Sequence, residues 1–474
     1  MLPVTVTYRT EIWQLFIDTM PITVSFAFQN VMQAASILIC GRLGTFELSV
    51  ASFGYMFFSS TATMTAIGGS TAIDTLCSQA FNSASSARGD QRHYLGIVLQ
   101  RGLIFLAVFF FAIIMPLWWH SGPLFHLLGQ KEDFSSATES FLKALLPAGL
   151  CQVISECVKK FLQVQNHRAA VGWCIGIAAI LGVVMNYILV LHTNLGVIGA
   201  AISHAIYHFT TVVTMVVYIA FNKSASQYWG GFTWKAFADP WPFIILALSG
   251  LLTVATEFWC FQSVALMAAT LDTASIGAQS IVMTSDLIFA TVPLGIGVSS
   301  SHKIGKTLGL GQGSKARFQI RIPYLLALII GSVECVILLS ARNVYGRAFS
   351  DDVDVVRTTA QVLPLLAIFQ CLDISNGGAA GILRGAGKTH LSGGSNVVGY
   401  YGVGLVLAWA LCFKAHLGLF GLWAGLITGS ATLLLIQSGW VFSINWEREA
   451  DSVLARAEER VKIGADERTP LLQD

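Results

Sequence analysis

Long apolar runs, repeated along almost the whole chain, constrain the fold more than any other feature of this sequence. A helix needs about 20 apolar residues to cross a bilayer, and about twelve runs of that length follow one another here. We place them at 12–39, 47–72, 94–119, 137–162, 169–192, 196–221, 241–268, 273–299, 320–341, 357–384, 391–413 and 417–444. Since 54% of the residues are hydrophobic and 11% charged, the sequence predicts an all-α polytopic membrane protein with twelve spanning helices.

A polar stretch in the middle of the chain divides these helices into two sets of six. NKSASQYWGGFTWKAFADP contains glycines and ends in proline, which is typical of a linker. GGSTAIDTLCSQAFN follows the second run and GVSSSHKIGKTLGLG the eighth, which indicates an internal duplication of the kind that builds transporters. The predicted parts are a short N-terminus (1–11), an N-lobe (12–222), a linker (223–240), a C-lobe (241–445) and a charged tail (446–474).

Loop charge predicts the orientation in the membrane. Fourteen Lys and Arg residues, Lys159 and Lys160 among them, are assigned to loops on one side, and six to the other. Because cytosolic loops carry an excess of Lys and Arg, we expect both termini and the linker in the cytosol.

The tail ends in a short motif that concerns localisation. In ERTPLL, Glu467 stands four residues before Leu471 and Leu472. The spacing resembles an acidic dileucine sorting signal. It would imply recognition by a clathrin adaptor and delivery to a vacuolar or lysosome-like membrane; the plasma membrane is the alternative.

The seventh run, LLTVATEFWCFQSVALM, carries one carboxylate near its middle, Glu257. A charge inside the bilayer is costly and marks a functional site by default. Thr253 lies four residues earlier and therefore on the same helix face. The rings of Phe258, Trp259 and Phe261 would exclude water from the carboxyl, a setting that suits a proton-exchanging acid.

The tenth run offers a counterpart. In IFQCLDISNGGAAGILRGAGK, Gln370, Asp373 and Asn376 recur at three-residue spacing along one face. If Glu257 and Asp373 face one cavity, the two carboxylates would share a proton. They could equally coordinate a small cation through their oxygens.

Other polar residues in apolar runs have more than one interpretation. Asp286 lies mid-way along the eighth run, and Pro293 is expected to kink that helix; its role is either functional or structural. Asp74 is placed near the cytosolic end of its helix, with a structural hydrogen bond. We interpret His302 as a loop or interface residue.

The motifs of soluble enzymes and of nucleotide binding are missing from this sequence. There is no HExxH, no GxSxG on a plausible strand and no Walker loop. Neither a metal site, a cofactor nor a nucleic-acid partner is predicted. The expected partners are membrane lipids and a small organic substrate.

Six stretches resemble the multidrug and toxic compound extrusion (MATE) transporters, in particular eukaryotic members, and they follow the family's order. They are CGRLGTFEL, GGSTAIDTLCSQAFN, GIVLQRGLI, FHLLGQKEDFSSATESFLKALLPAGLCQVISECVKKFLQVQ, VATEFWCFQSVALMAATLD and DISNGGAAGILRGAGK. The resemblance implies a V-shaped fold of two six-helix lobes and an antiporter in which an ion gradient drives the export of organic solutes. Glu257 and Asp373 match the family's acids in the seventh and tenth helices.

The sequence departs from the family's pattern at two places. Members related to animal transporters have an acid in the eighth helix where this chain has Thr284. Asp286 stands two residues on, a rotation of about 200°; whether it substitutes is left open. Some prokaryotic members have an aspartate in the first helix, whereas the comparable stretch here has only polar uncharged residues: Gln29, Asn30, Gln33 and Ser36. This favours the C-lobe acids as the coupling site.

We therefore expect a proton-coupled antiporter for organic solutes, cationic or amphiphilic ones in the first place. Tyr400 and Tyr401 are predicted to line an adaptable pocket with the three rings around Glu257, where a cationic solute would find cation–π contacts. The alternatives are sodium coupling at the same carboxylates, a lipid-linked flippase and a channel.

Overall fold

The structure, a computed structural model, describes residues 7–86, 93–127, 129–350 and 352–466. Glu467, Leu471 and Leu472 lie outside the described residues, so the dileucine signal stays a prediction. Within the described ranges the long regular elements are helices.

Within the described ranges, the first half of the chain forms ten α-helices. They are α1 (Tyr8–Cys40), α2 (Thr45–Phe58), α3 (Met64–Ser86), α4 (Tyr94–Phe109), α5 (Met115–Trp119), α6 (Ser121–Leu127), α7 (Glu132–Val164), α8 (Arg168–Leu191), α9 (Val197–Phe221) and α10 (Lys223–Ser226). A π-helical segment, Ser59–Thr63, makes α2 and α3 one continuous helical run.

The second half forms ten more. They are α11 (Trp241–Ala268), α12 (Thr273–Phe289), α13 (Thr291–Gly309), α14 (Gly313–Gln319), α15 (Ile322–Tyr345), α16 (Val353–Gly385), α17 (Thr389–Asn396), α18 (Val406–Trp409), α19 (Gly418–Ser443) and α20 (Trp446–Asp466). The charged tail thus begins as a helix, α20.

Eleven helical runs of the described chain are long and apolar enough to cross a membrane. Eleven of the twelve predicted segments coincide with these runs. The remaining one, 47–72, lies within the continuous run from Thr45 to Ser86. The all-helical membrane fold is therefore confirmed.

The chain packs into two compact units. Unit 1 contains the described residues of Met1–Thr23, Asp74–Gln91 and Leu252–Asp474. In it α16 packs against α12, α13, α15 and α19. Close approach requires glycine at the α13–α16 crossing, because a Cβ on Gly381 would lie 2.2 Å from the carbonyl oxygen of Gly297.

Unit 2 contains Val24–Ile73 and the described residues of Arg92–Leu251. Its central helix is α7, which packs against α2, α4 and α9, while α8 packs against α9. The units do not follow the predicted lobe boundaries at every helix, because the first part of α1 and the last part of α3 pack within unit 1. The boundaries at 222 and 241 stay a prediction.

The predicted interruption of the eighth span is present. The span is divided at Ala290 into α12 and α13, three residues before Pro293. Proline has no backbone N–H to donate, so the helical ladder cannot run through this point unbroken. The break ends α12 one turn after Asp286, whose carbonyl accepts a hydrogen bond from the Ala290 N–H at 2.7 Å.

Candidate functional site: a cluster of buried acids in unit 1

Four carboxylic acids from four helices lie inside unit 1. Glu257 comes from α11, Asp286 from α12, Glu334 from α15 and Asp373 from α16. Asp286, Glu334 and Asp373 are 8%, 6% and 7% exposed, and Glu257 is half-buried. We call these four residues the acidic cluster. Acids are seldom buried to this extent unless they are paired or functional.

The charges of the cluster act on one another. Asp373 interacts electrostatically with Glu257, Asp286 and Glu334. Like charges that act on one another repel strongly in a medium of low dielectric constant. The cluster therefore cannot stay fully ionised without a cation, a proton or a positively charged solute.

The structure decides which residue of the eighth span faces the cluster. Asp286 is buried, and its Oδ1 accepts a hydrogen bond of 2.8 Å from Gln370 Nε2 on α16. Thr284 is exposed and its hydroxyl donates to the Ser280 carbonyl of its own helix at 2.8 Å. The acid two residues along is thus the one directed into unit 1.

Glu334 is an acid that the sequence analysis passes over. It stands in the apolar stretch LIIGSVECVILLS of α15, the same signal that identifies Glu257. One turn before it, Gly331 allows α15 to approach α16 closely, since a Cβ there would lie 3.1 Å from Cα of Cys371. Among the described residues, no group forms a hydrogen bond with Glu334 Oε2.

Three of the predicted polar residues make contacts that hold helices together. Asn376 Nδ2 donates to Ser430 Oγ at 2.8 Å and so ties α16 to α19. The carbonyl of Thr253, also buried, accepts from Asn396 Nδ2 at 2.9 Å. Gln370, described above, joins α16 to α12. Of these hydrogen bonds, the one donated by Gln370 reaches an acid of the cluster, Asp286.

The five predicted pocket rings fall into two groups. Tyr400 is buried, and the charges of Glu257, Asp373 and Asp286 act on it electrostatically. Phe261 lies 6.4 Å from it between ring centroids. Trp259, in contrast, is 56% exposed on the outside of unit 1, and Phe258 and Tyr401 are half-buried. Tyr400 is thus the ring on which the charges of the acids act, and Phe261 lies beside it.

One cation is also linked to the cluster. The charges of both Glu257 and Asp74 act on Arg384, near the end of α16. Arg384 Nη1 lies 3.9 Å from Asp74 Oδ2, and the other Asp74 oxygen, Oδ1, forms a hydrogen bond of 2.9 Å with His302 Nε2. A chain of charged and polar groups therefore connects Glu257 to Asp74.

One expectation about this chain of groups is wrong: Asp74 does not lie near a helix end, because α3 continues to Ser86. Of the two interpretations of His302, the loop is excluded, because His302 lies inside α13 and is fully buried. Its hydrogen bond to Asp74 on α3 agrees with the other interpretation, an interface residue. The stretch Ser299–Ser301, which looks like a loop in the sequence, is helical and buried, since small residues permit close helix packing.

Unit 2 holds a buried acid of its own, which the sequence analysis also misses. Glu156 on α7 is 1% exposed, as are Lys159 and Lys160. Glu156 Oε1 lies 2.5 Å from Lys159 Nζ and accepts from Gln29 Nε2 at 3.3 Å. Lys159 and Lys160 were assigned to a loop; the structure corrects this, since α7 continues to Val164. The overlooked signal is the acid three residues before Lys159, which neutralises it within the helix.

A helical membrane bundle with ionisable groups at its centre is the architecture of a secondary transporter. The MatE family model matches residues 21–188 and 250–410, more than half of the chain. The chain therefore belongs to the MATE family of transporters.

Individual relatives agree with this. Protein DETOXIFICATION 16 from Arabidopsis thaliana is 30% identical over 94% of this chain and 90% of its own length. Multidrug and toxin extrusion protein 1 from Xenopus tropicalis is 28% identical over 96% of this chain and 78% of its own. The crystal structure of the eukaryotic MATE transporter AtDTX14 matches with a TM-score of 0.86 at 23% identity, covering 95% of this chain and 99% of that one.

These findings confirm the expected family and the expected fold. The protein is a multi-pass membrane transporter of a family that extrudes organic compounds, and it is not an enzyme.

Proposed function

We propose that this transporter exports an organic solute in exchange for protons and that the acidic cluster binds both in turn. The observation that carries the proposal is the interaction of Asp373 with three further acids in one unit, all of them buried or half-buried, with Arg384 as the cation linked to Glu257. A site of this kind binds a proton or a positively charged solute, each of which relieves the same repulsion.

Competition between the two ligands provides the coupling. When the carboxyls of Glu257 and Asp373 are ionised, they attract a cationic solute. Proton uptake removes that attraction and releases the solute on the side with the higher proton concentration. Such a cycle requires that the solute bind the two protonation states with different affinity, which two carboxyls in one cluster supply.

The remaining groups have supporting roles in this proposal. Asp286, held by Gln370, adds negative charge to the site and substitutes for an acid at the position of Thr284. Tyr400 and Phe261 offer ring surfaces beside the carboxyls for the organic part of the solute, with cation–π attraction where it is cationic. Thr253 and Asn376 keep α11, α16 and α19 in place.

The predicted orientation enters as part of the proposal. Without the buried Lys159, Lys160 and Arg168, eleven of the fourteen charges remain on one side against six on the other. Cytosolic termini are therefore still favoured. A vacuolar or lysosome-like membrane, reached through the dileucine motif and a clathrin adaptor, and the plasma membrane are the two locations proposed.

The test is efflux of a fluorescent organic cation from proteoliposomes under an imposed pH gradient. Asp373→Asn and Glu257→Gln keep the size of each side chain and should each reduce gradient-driven efflux by at least 100-fold, a loss on the order of 3 kcal/mol. Asp354→Asn is the matched control, because Asp354 is an exposed acid on the same helix as Asp373. It should transport like wild type.

The alternative outcomes identify the rivals. Efflux that ignores the pH gradient but follows a sodium gradient would assign the cluster to sodium. Passage of the dye that persists when both gradients are collapsed would indicate a channel. Full proton-driven activity in both variants, with normal insertion, would remove the acidic cluster from the mechanism.

A further inference from the structure

A crevice of about 440 Å³ lies on the surface of unit 1, away from the acidic cluster. Tyr8, Arg321, Tyr324, Leu325 and Phe442 line it. Apart from the Arg321 guanidinium and the two tyrosine hydroxyls, these side chains offer aromatic and aliphatic surface. Phe442 is 58% exposed, and nothing in the proposed transport cycle uses this surface.

The position of the crevice follows from the helices that form it. Tyr8 is the first residue of α1, Arg321 directly precedes α15, and Phe442 is the last residue but one of α19. Three spanning helices therefore begin or end at this level, as they do where a bilayer meets water. Tyrosine and other aromatic side chains are enriched at that level.

The crevice is polar at one point and apolar elsewhere. Arg321 Nη1 donates a hydrogen bond of 3.2 Å to the Tyr8 hydroxyl, which holds the guanidinium over the crevice. Tyr324 and Phe442 are stacked with centroids 6.0 Å apart. In the part of the chain that the structure describes, no carboxylate forms an ion pair with Arg321, so its other N–H donors remain available.

Two more arginines lie close to the crevice residues in the sequence. Arg9 follows Tyr8 in the chain, and Arg317 lies one helical turn before Arg321; both are exposed. Clusters of Lys and Arg next to a spanning helix attract anionic lipid headgroups, by about 1 kcal/mol for each residue near the surface. A guanidinium also binds phosphate through paired N–H groups.

We propose that the crevice is a binding site for an anionic phospholipid. The headgroup phosphate pairs with Arg321, and the upper part of an acyl chain lies against Leu325, Tyr324 and Phe442. Charge complementarity selects an anionic lipid over a zwitterionic one, and the apolar lining selects a lipid over a soluble phosphate.

Binding is measured on the full-length protein in detergent, by native mass spectrometry and by the shift in Tm on titration with lipid. Phosphatidylserine and phosphatidylcholine with identical chains are compared. Wild type should bind phosphatidylserine about tenfold more tightly. Arg321→Gln should lose most of that preference, because it removes one charge-assisted pair.

Two further variants separate the crevice from general surface charge. Arg317→Gln removes an exposed positive charge that does not line the crevice, and it should lose clearly less of the preference than Arg321→Gln does. Leu325→Trp fills the apolar part and should weaken both lipids. Equal losses in Arg317→Gln and Arg321→Gln, or unchanged binding in Leu325→Trp, would overturn the proposal.

The source of the phosphate is tested separately. Glycerophosphoserine, the headgroup without acyl chains, should cause no comparable shift in Tm. If it stabilises the protein as strongly as the lipid does, the site binds a soluble anion and the lipid proposal fails. Because binding is read directly, failure here is independent of the proton-exchange proposal, which is tested by efflux.

Discussion

Glu156 of unit 2 and the acidic cluster of unit 1 differ in the charges that surround them. In unit 2, Glu156 lies 2.5 Å from Lys159 and accepts a hydrogen bond from Gln29. In unit 1, Asp373 interacts with Glu257, Asp286 and Glu334. The cation linked to Glu257, Arg384, also lies beside Asp74. The buried acid of unit 2 is matched locally, whereas the acidic cluster of unit 1 holds negative charge in excess.

This difference distinguishes two uses of charge inside a membrane protein. A buried ion pair is costly to assemble but stable in one state, because each partner satisfies the other. A site with an excess of like charge is unstable without a bound ligand. It must take up a proton, a cation or a positively charged solute. The comparison therefore supports the proposal that ion and solute exchange take place in unit 1, and it predicts a structural role for the pair in unit 2.

The largest effect is expected from breaking the unit 2 pair. Lys159→Met leaves Glu156 buried without its ion-pair partner and should cost about 3–5 kcal/mol of stability. The matched variant Glu156→Gln/Lys159→Met removes both charges and should recover most of it. Tm of the purified protein measures the stability, and efflux is measured on every variant that reaches the membrane.

The double variant decides the interpretation of unit 2. Lys160 remains buried in it and keeps its own interactions. If the double variant is as stable as wild type and transports, the pair is structural. A stable double variant that has lost proton-driven efflux would contradict the comparison and place part of the exchange site in unit 2.

Much of this contrast was open to prediction from the sequence. The apolar runs locate the spans, and single acids within such runs identify Glu257, Asp286 and Asp373. Glu334 is also a single acid within an apolar run, but no polar residue accompanies it on the same face of its helix. Its burial against α16 depends on the close approach at Gly331, which is a property of the packing.

Contacts between residues far apart in the chain cannot be predicted from local sequence patterns. His302 and Asp74 are separated by 228 positions, and nothing near either residue indicates the other. Similarly, periodicity places Thr284 and Asp286 on different faces of one helix but does not say which face is directed inward. Only the packing of α12 against α16 makes that choice, through Gln370.

A smaller effect is expected from Glu334→Gln. Removing one negative charge that acts on Asp373 should weaken proton binding in the cluster by a factor on the order of ten, or about 1.4 kcal/mol. The pH dependence of efflux should shift to lower pH, while Tm stays the same or rises because repulsion is relieved. Efflux of wild type and variant is compared across a pH series at a constant gradient, with Asp354→Asn as control.

An unchanged pH dependence in Glu334→Gln would separate this residue from the exchange site. The excess charge of unit 1 would then comprise three acids, and the contrast with unit 2 would be weaker. A large fall in Tm would instead show that the carboxyl of Glu334 is needed for the packing of α15 against α16.

The smallest effect is expected from Gln370→Leu, which tests how far Asp286 belongs with the unmatched acids. The Gln370 side chain is fully buried and its amide donates to Asp286 at 2.8 Å. Its removal leaves the carboxylate without that donor, a loss of about 1–3 kcal/mol for the ionised form. Efflux should fall about threefold to tenfold at high pH, where the acids are ionised. It should approach wild type at low pH, where Asp286 is protonated and needs the donor less.

Gln370→Glu has nearly the same shape as the wild-type side chain and adds a fifth acid to the cluster. Its efflux should fall most strongly at high pH. If Gln370→Leu lowers efflux equally at every pH, Gln370 acts by positioning α16 against α12, and Asp286 then resembles Glu156 of unit 2 more than its own neighbours.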